Sequence, residues 1–223
     1  MDNNDNKQQI EESGLITATK GKYPIHCLTV IGQIEGHFES NSQIKTTKYE
    51  HVIPQLVDVQ ENPDIYGLLV ILNTVGGDVE AGLAIAELIR GITKPTASLV
   101  LGGGHSIGIP LAVSADRSFI VPTATMTVHP VRHSGTVLAT SHTTNYLQAI
   151  QKRVTDFVTE NSDISKERFT ELMTANEELI MDLGTSLDGE NAVEEGLIDA
   201  LGSLGDALEY LYSEIEKQKT DSM

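Results

Sequence analysis

Gly67-Leu68-Leu69-Val70-Ile71-Leu72-Asn73-Thr74-Val75-Gly76-Gly77-Asp78-Val79 is the stretch that decides the fold. A short, continuous apolar run bounded by turn residues reads as a strand buried on both faces. The paired glycines then free the backbone to turn sharply and leave N–H groups exposed, as oxyanion or phosphate sites require. Asp78 has the chemistry of a helix cap, and Val79, Leu83, Ala86 and Ile89 or Ile92 recur at helical spacing behind it. A buried strand, a glycine turn and an amphipathic helix in that order form one unit of an α/β protein.

The same grammar extends outwards. Ile25–Ile34 reads as a strand, 48–61 as a helix with Pro54 in its first turn, and Thr96–Leu101 as a strand running into Gly102-Gly103-Gly104. Ser106 opens an apolar helix to about Ala115. Short strands follow near 118–121 and 125–129. A longer helix covers 144–160, with Tyr146, Ile150, Val154, Phe157 and Val158 at steps of three and four. A short helix carries Phe169 and Leu172 behind the caps Asp163 and Ser165. Leu197–Leu201 reads as a late strand, and Leu204, Leu208, Leu211 and Ile215 mark the last helix. The expected class is α/β with a mostly parallel sheet.

Composition limits the functions available. The 223 residues suit one domain with a substantial core. The expected layout is a disordered polar tail over 1–23, one domain over 24–217 and a mobile tail over 218–223. A formal charge of −17 disfavours nucleic acid and anionic membrane surfaces as partners. The single cysteine, Cys27, excludes an internal disulfide and a cysteine metal cluster. The polar N-terminal stretch resembles no signal peptide and no run is long enough to span a membrane, so a cytoplasmic protein is expected.

Gly104-His105-Ser106-Ile107-Gly108 and Val128-His129-Pro130 carry the chemistry. Serine is a poor nucleophile until a base takes its proton and N–H groups hold the oxyanion. A serine ringed by glycines fits the strained strand-to-helix turn that exposes such a nucleophile. The triad order Ser, acid, His of α/β-hydrolases fails, because Asp116 is the only acid between Ser106 and His129, His133 or His142. His105 is disfavoured as the base, because neighbouring side chains on a tight turn point apart. His129 and His133 have metal-like spacing, but Pro130 breaks the helix that such a pair needs, and no metal is expected. The glycine run lacks the Lys-Ser/Thr of a P-loop, and no cofactor is expected.

Asn73-Thr74-Val75-Gly76-Gly77-Asp78-Val79-Glu80-Ala81-Gly82 is similar to the glycine turn of the Clp protease proteolytic subunit. Lys94-Pro95, Ser106 in its glycine frame, Met126-Thr127-Val128-His129-Pro130 and Ala192-Val193-Glu194-Glu195-Gly196-Leu197-Ile198-Asp199 follow in that family's order. His26-Cys27-Leu28-Thr29, 48–54 and 102–108 resemble its translocation-enhancing branch. The resemblance spans roughly residues 25–215. It implies the ClpP/crotonase-like spiral of ββα units, with 144–160 as a projecting handle helix whose stripe, Ile150 and Val154 included, pairs subunits in a homo-oligomeric ring.

It also implies a serine endopeptidase. Ser106 attacks, His129 moves the proton, and the N–H groups of Gly77 and Ile107 hold the oxyanion. Gly76, Pro130 and Val131 line an extended peptide or unfolded protein substrate, bound by strand addition. Signal peptides and a link to export follow from the branch. The family's acid precedes the Ala-Val-Glu segment. An ungapped match places Gly184 there, so Asp182 is expected to serve, with Asp188 as a second candidate. Residues 1–23 lack the loop that gates the pore for an unfolding ATPase, so cleavage of small substrates without such a partner is expected. The rivals are a catalytically degenerate scaffold and an acyl-CoA enzyme of the crotonase family, the latter disfavoured by Ser106, His129 and few basic residues.

Overall fold

Strands β1 (Ile16–Ala18), β2 (Ile25–Glu35), β3 (Thr46–Lys48), β4 (Gly67–Gly77), β5 (Thr96–Gly104), β6 (Arg117–Ile120) and β9 (Ala200–Leu201) build the main sheet. The computed structural model describes residues 16–18, 21–38, 40–41, 43–132, 140–175 and 184–221. The order β1-β2-β4-β5-β6-β9 is parallel throughout except for antiparallel β1, and β3 lies along the end of β2. A second, antiparallel pair, β7 (Thr125–Val128) and β8 (Thr185–Asp188), joins the end of β5 through Gly103 and Thr125.

Alternation along the strands sorts the core into two layers. Val30, Leu68, Val70, Leu72 and Val100 face helices α1 (Tyr49–Glu61), α2 (Val79–Arg90) and α3 (Gly108–Val113). Ile25, Leu69, Ala97 and Leu99 face the opposite way, onto Ala207, Leu211 and Ile215 of α7 (Leu204–Asp221). A sheet covered on both faces explains the uninterrupted apolar run of β4. Asp78 caps α2 as expected, its carboxylate accepting from the Ala81 N–H at 2.8 Å. Ser165 caps α5 (Lys166–Thr174) in the same manner. The remaining helices are α4 (Thr140–Glu160) and α6 (Gly189–Glu194).

Several expectations need correction. Pro54 is not in the first turn of α1, which begins at Tyr49; it lies inside the helix, on its exposed side. There the Glu50 carbonyl that lacks an N–H partner can turn to water. The late strand shrinks to Ala200–Leu201, because the N–H groups of Leu197 and Ile198 both bond the Ala192 carbonyl at the end of α6. Ile16–Ala18, within the expected tail, pairs with β2, and α7 runs on to Asp221. Ser106 does not open a helix: α3 starts at Gly108. Ile150 and Val154 of α4 are buried against their own chain, at 6 % and 9 % exposure, so neither is free to pair subunits.

Buried His26 makes a pH-dependent contribution. Its ring bonds the Gln55 carboxamide at 3.3 Å. Burial holds its pKa below the ordinary imidazole value, against smaller opposing effects of Gln55 and Asp58. The unfolded chain therefore binds a proton near pH 6.5 that the folded chain refuses until lower pH. Stability should be full above about pH 6.5 and fall as the pH drops below it. Thermal melts of wild type and His26→Gln at pH 7.5 and 5.5 test this: the wild type should lose more on acidification. An equal loss in both would remove His26 from the account.

Candidate active site

The site forms where the main sheet's regular pairing ends. The β2–β4 ladder shifts between Gly32 and Gln33, and the β4–β5 ladder between Leu72 and Thr74. Polar side chains take over there. Asn73 accepts from the Gly103 N–H at 3.0 Å and ties one glycine turn to the other. The Thr74 hydroxyl donates to the Gly32 carbonyl at 2.6 Å and accepts from the Gly76 N–H at 3.1 Å. These bonds set the course of Gly76 and Gly77 past Ser106.

Ser106 has φ 57°, the only positive φ outside glycine among the described residues. Such a left-handed serine is strained. It is held by its N–H bonding the Thr127 carbonyl at 2.9 Å and by the Ile109 N–H bonding its own carbonyl at 3.0 Å. Gly76 is required beside it. Its φ is +89°, and a Cβ there would lie 2.8 Å from the Ser106 Cβ.

Ser106 and His129 line one cavity of about 180 Å³ together with Gly77 and Ile107. The rest of its wall mixes apolar side chains, among them Val79, Val154, Phe169 and Met173, with the polar Arg132 and Gln151. A cavity of about 150 Å³ holds a benzene ring, so a medium-sized side chain fits. His129 Nδ1 lies 2.7 Å from the Pro130 carbonyl oxygen. His105 is absent from the cavity lining; its Nδ1 bonds the Thr127 hydroxyl at 2.9 Å. Burial, and secondarily His129, lowers the His105 pKa and favours the neutral ring.

The expected acids fare differently. Asp182 and His133 lie outside the described residues. Asp188 caps α6, accepting from the Asn191 N–H at 2.9 Å. It pairs with Thr125, whereas Thr185 pairs with Val128 at the His129 end. Three residues of strand, about 10 Å, separate those ends. Gly184, the ungapped position, is the residue brought against His129: a Cβ there would lie 2.9 Å from the His129 Cβ and 2.5 Å from the Val128 oxygen.

Gln151 was not legible as a site residue. From α4 its side-chain oxygen accepts from the Val131 N–H at 2.7 Å, occupying a donor expected to serve substrate. Its only signal was a carboxamide beside Ile150 in the helix's apolar stripe. Phe169, expected on a short helix with Leu172, is a core residue that also walls the cavity, as does Met173.

The chain resembles known proteins in sequence and in fold. The family model described as Clp protease matches residues 26–203. The chain is 58 % identical to the translocation-enhancing protein TepA of Halalkalibacterium halodurans over 195 residues, covering 87 % of this chain and 76 % of that protein. It is 33 % identical to the ATP-dependent Clp protease proteolytic subunit of Lactococcus lactis over 127 residues, 52 % of this chain and 62 % of that one. A solved structure of a ClpP1 point mutant from Listeria monocytogenes superposes with TM-score 0.65 at 19 % identity, covering 82 % of this chain and 94 % of that one. No helix among the described residues is long and apolar enough to cross a membrane. With its glycine turns, strained serine and histidine on one α/β frame, the chain belongs to the Clp protease family.

Proposed function

We propose that this protein is a serine endopeptidase. Ser106 is the nucleophile and His129 the base, and the N–H groups of Gly77 and Ile107 stabilise the oxyanion. One observation carries the reading: a serine held at φ 57° opens into the same cavity as His129, Gly77 and Ile107. Strain of this kind is maintained against a cost of about 1–3 kcal/mol and clusters at functional sites.

The cycle follows from the chemistry of serine. His129 Nε2 takes the hydroxyl proton as Ser106 attacks the peptide carbonyl. The proton then passes to the leaving amine, and water releases the acyl group by the same route. The substrate is an extended peptide with an apolar side chain in the cavity, beside Gly76 and Pro130. Because Gln151 holds the Val131 N–H, substrate must displace that carboxamide to use this donor. Likeness to a translocation-enhancing protein supports short export-related peptides, such as signal peptides, as substrates. A homo-oligomeric ring is proposed from family membership.

The purified chain should cleave a short fluorogenic peptide with Leu or Phe before the scissile bond, without ATP, and faster than a casein-like protein. A fluorophosphonate should label Ser106. A chain that neither turns over peptide nor takes the label is instead a binding scaffold, the reading favoured by Gly184 at the position of the family's acid.

A further inference from the structure

Given the Ser106–His129 pairing proposed above, we infer that the His129 imidazole is oriented by the main-chain carbonyl of Pro130 rather than by a carboxylate. A histidine base must keep its proton on Nδ1 so that the Nε2 lone pair can face the serine. A carbonyl oxygen can only accept. At 2.7 Å, the short end of the N–H···O range, the Pro130 carbonyl therefore selects the Nδ1–H tautomer. That is the service an aspartate performs in a triad.

The described residues around His129 support this part for the backbone. Antiparallel pairing of Val128 with Thr185 brings residue 184 against His129, and that residue is glycine. Its φ of +137° suits glycine, and any side chain would run into the Val128 carbonyl oxygen at 2.5 Å. The next acid along β8, Asp188, is committed to α6, accepting from both the main-chain and side-chain nitrogens of Asn191. Pro130 contributes a second property: with no N–H, it leaves the turn after His129 without a competing donor at that residue. A neutral acceptor fixes the tautomer but stabilises an imidazolium less than a carboxylate does. The chain then works as a serine–histidine pair with a backbone orienter.

The test uses the full chain with Glu177→Gln, Glu178→Gln and Asp182→Asn combined, so that every acid between α5 and Gly184 is neutral. Two quantities are read: kcat on a short fluorogenic peptide, and the His129 tautomer by ¹⁵N NMR of imidazole-labelled protein, with the signal assigned through a His129→Gln variant. The expected result is kcat within tenfold of wild type and an Nδ1–H tautomer in both proteins. A larger drop in kcat, or a switch to Nε2–H, overturns the inference; loss of an orienting aspartate in a serine protease lowers kcat by about 10⁴. Failure of the peptidase reading looks different. Wild type would then lack turnover and fluorophosphonate labelling, and the tautomer would still report how His129 is held.

Discussion

Ser106→Ala and His129→Ala should each lower kcat for a short peptide by about 10⁴–10⁶-fold, and the double variant should be no slower than either single one. Residues that act as one unit are non-additive, because removing the nucleophile leaves the base nothing to activate. What survives reflects binding and the oxyanion donors alone. The fold should be unaffected by Ser106→Ala. Its strained backbone is held by main-chain bonds to Thr127 and Ile109, which alanine keeps. Melting temperatures should agree within a few degrees while fluorophosphonate labelling disappears. Full labelling of Ser106→Ala would remove it as nucleophile. Additive losses in the double variant would mean that His129 acts independently of Ser106.

Gly76→Ala should reduce kcat by about 100-fold with only a moderate loss of stability. The new methyl group would lie 2.8 Å from the Ser106 Cβ, 3.0 Å from the His105 oxygen and 3.3 Å from the Ser106 hydroxyl oxygen. Something must move, and the φ of +89° adds strain of about 1–3 kcal/mol to any non-glycine residue there. Displacing a nucleophile by about 1 Å costs about 10² in rate. Val75→Ala is the control, since Val75 is 67 % exposed one residue earlier and should leave kcat nearly unchanged. Kinetics and thermal melts of both variants decide the matter. Wild-type turnover by Gly76→Ala would show that this turn does not abut the nucleophile in the working enzyme.

Local signals alone were sufficient for much of this protein. The apolar run of β4, the glycine pair behind it, the Asp78 cap and the helical spacing of Val79, Leu83 and Ala86 are short-range features, each with its own chemistry. They specify an α/β unit without reference to the rest of the chain. The order of Ser106 and His129 likewise excluded one triad arrangement before any geometry was known. Two things were settled only by tertiary structure. The stripe of α4 reads the same whether its own core or another subunit covers it, because helical periodicity records that a face is apolar and not what meets it; Ile150 and Val154 prove to be covered by their own chain. The neighbours of His129 depend on the register of β7 against β8, two strands nearly sixty residues apart. A shift of a single residue in that pairing would put a different residue opposite the imidazole. That register brings Gly184 to His129 and holds Asp188 at the far end, so folding, not spacing along the chain, decides which of the described residues meet the imidazole.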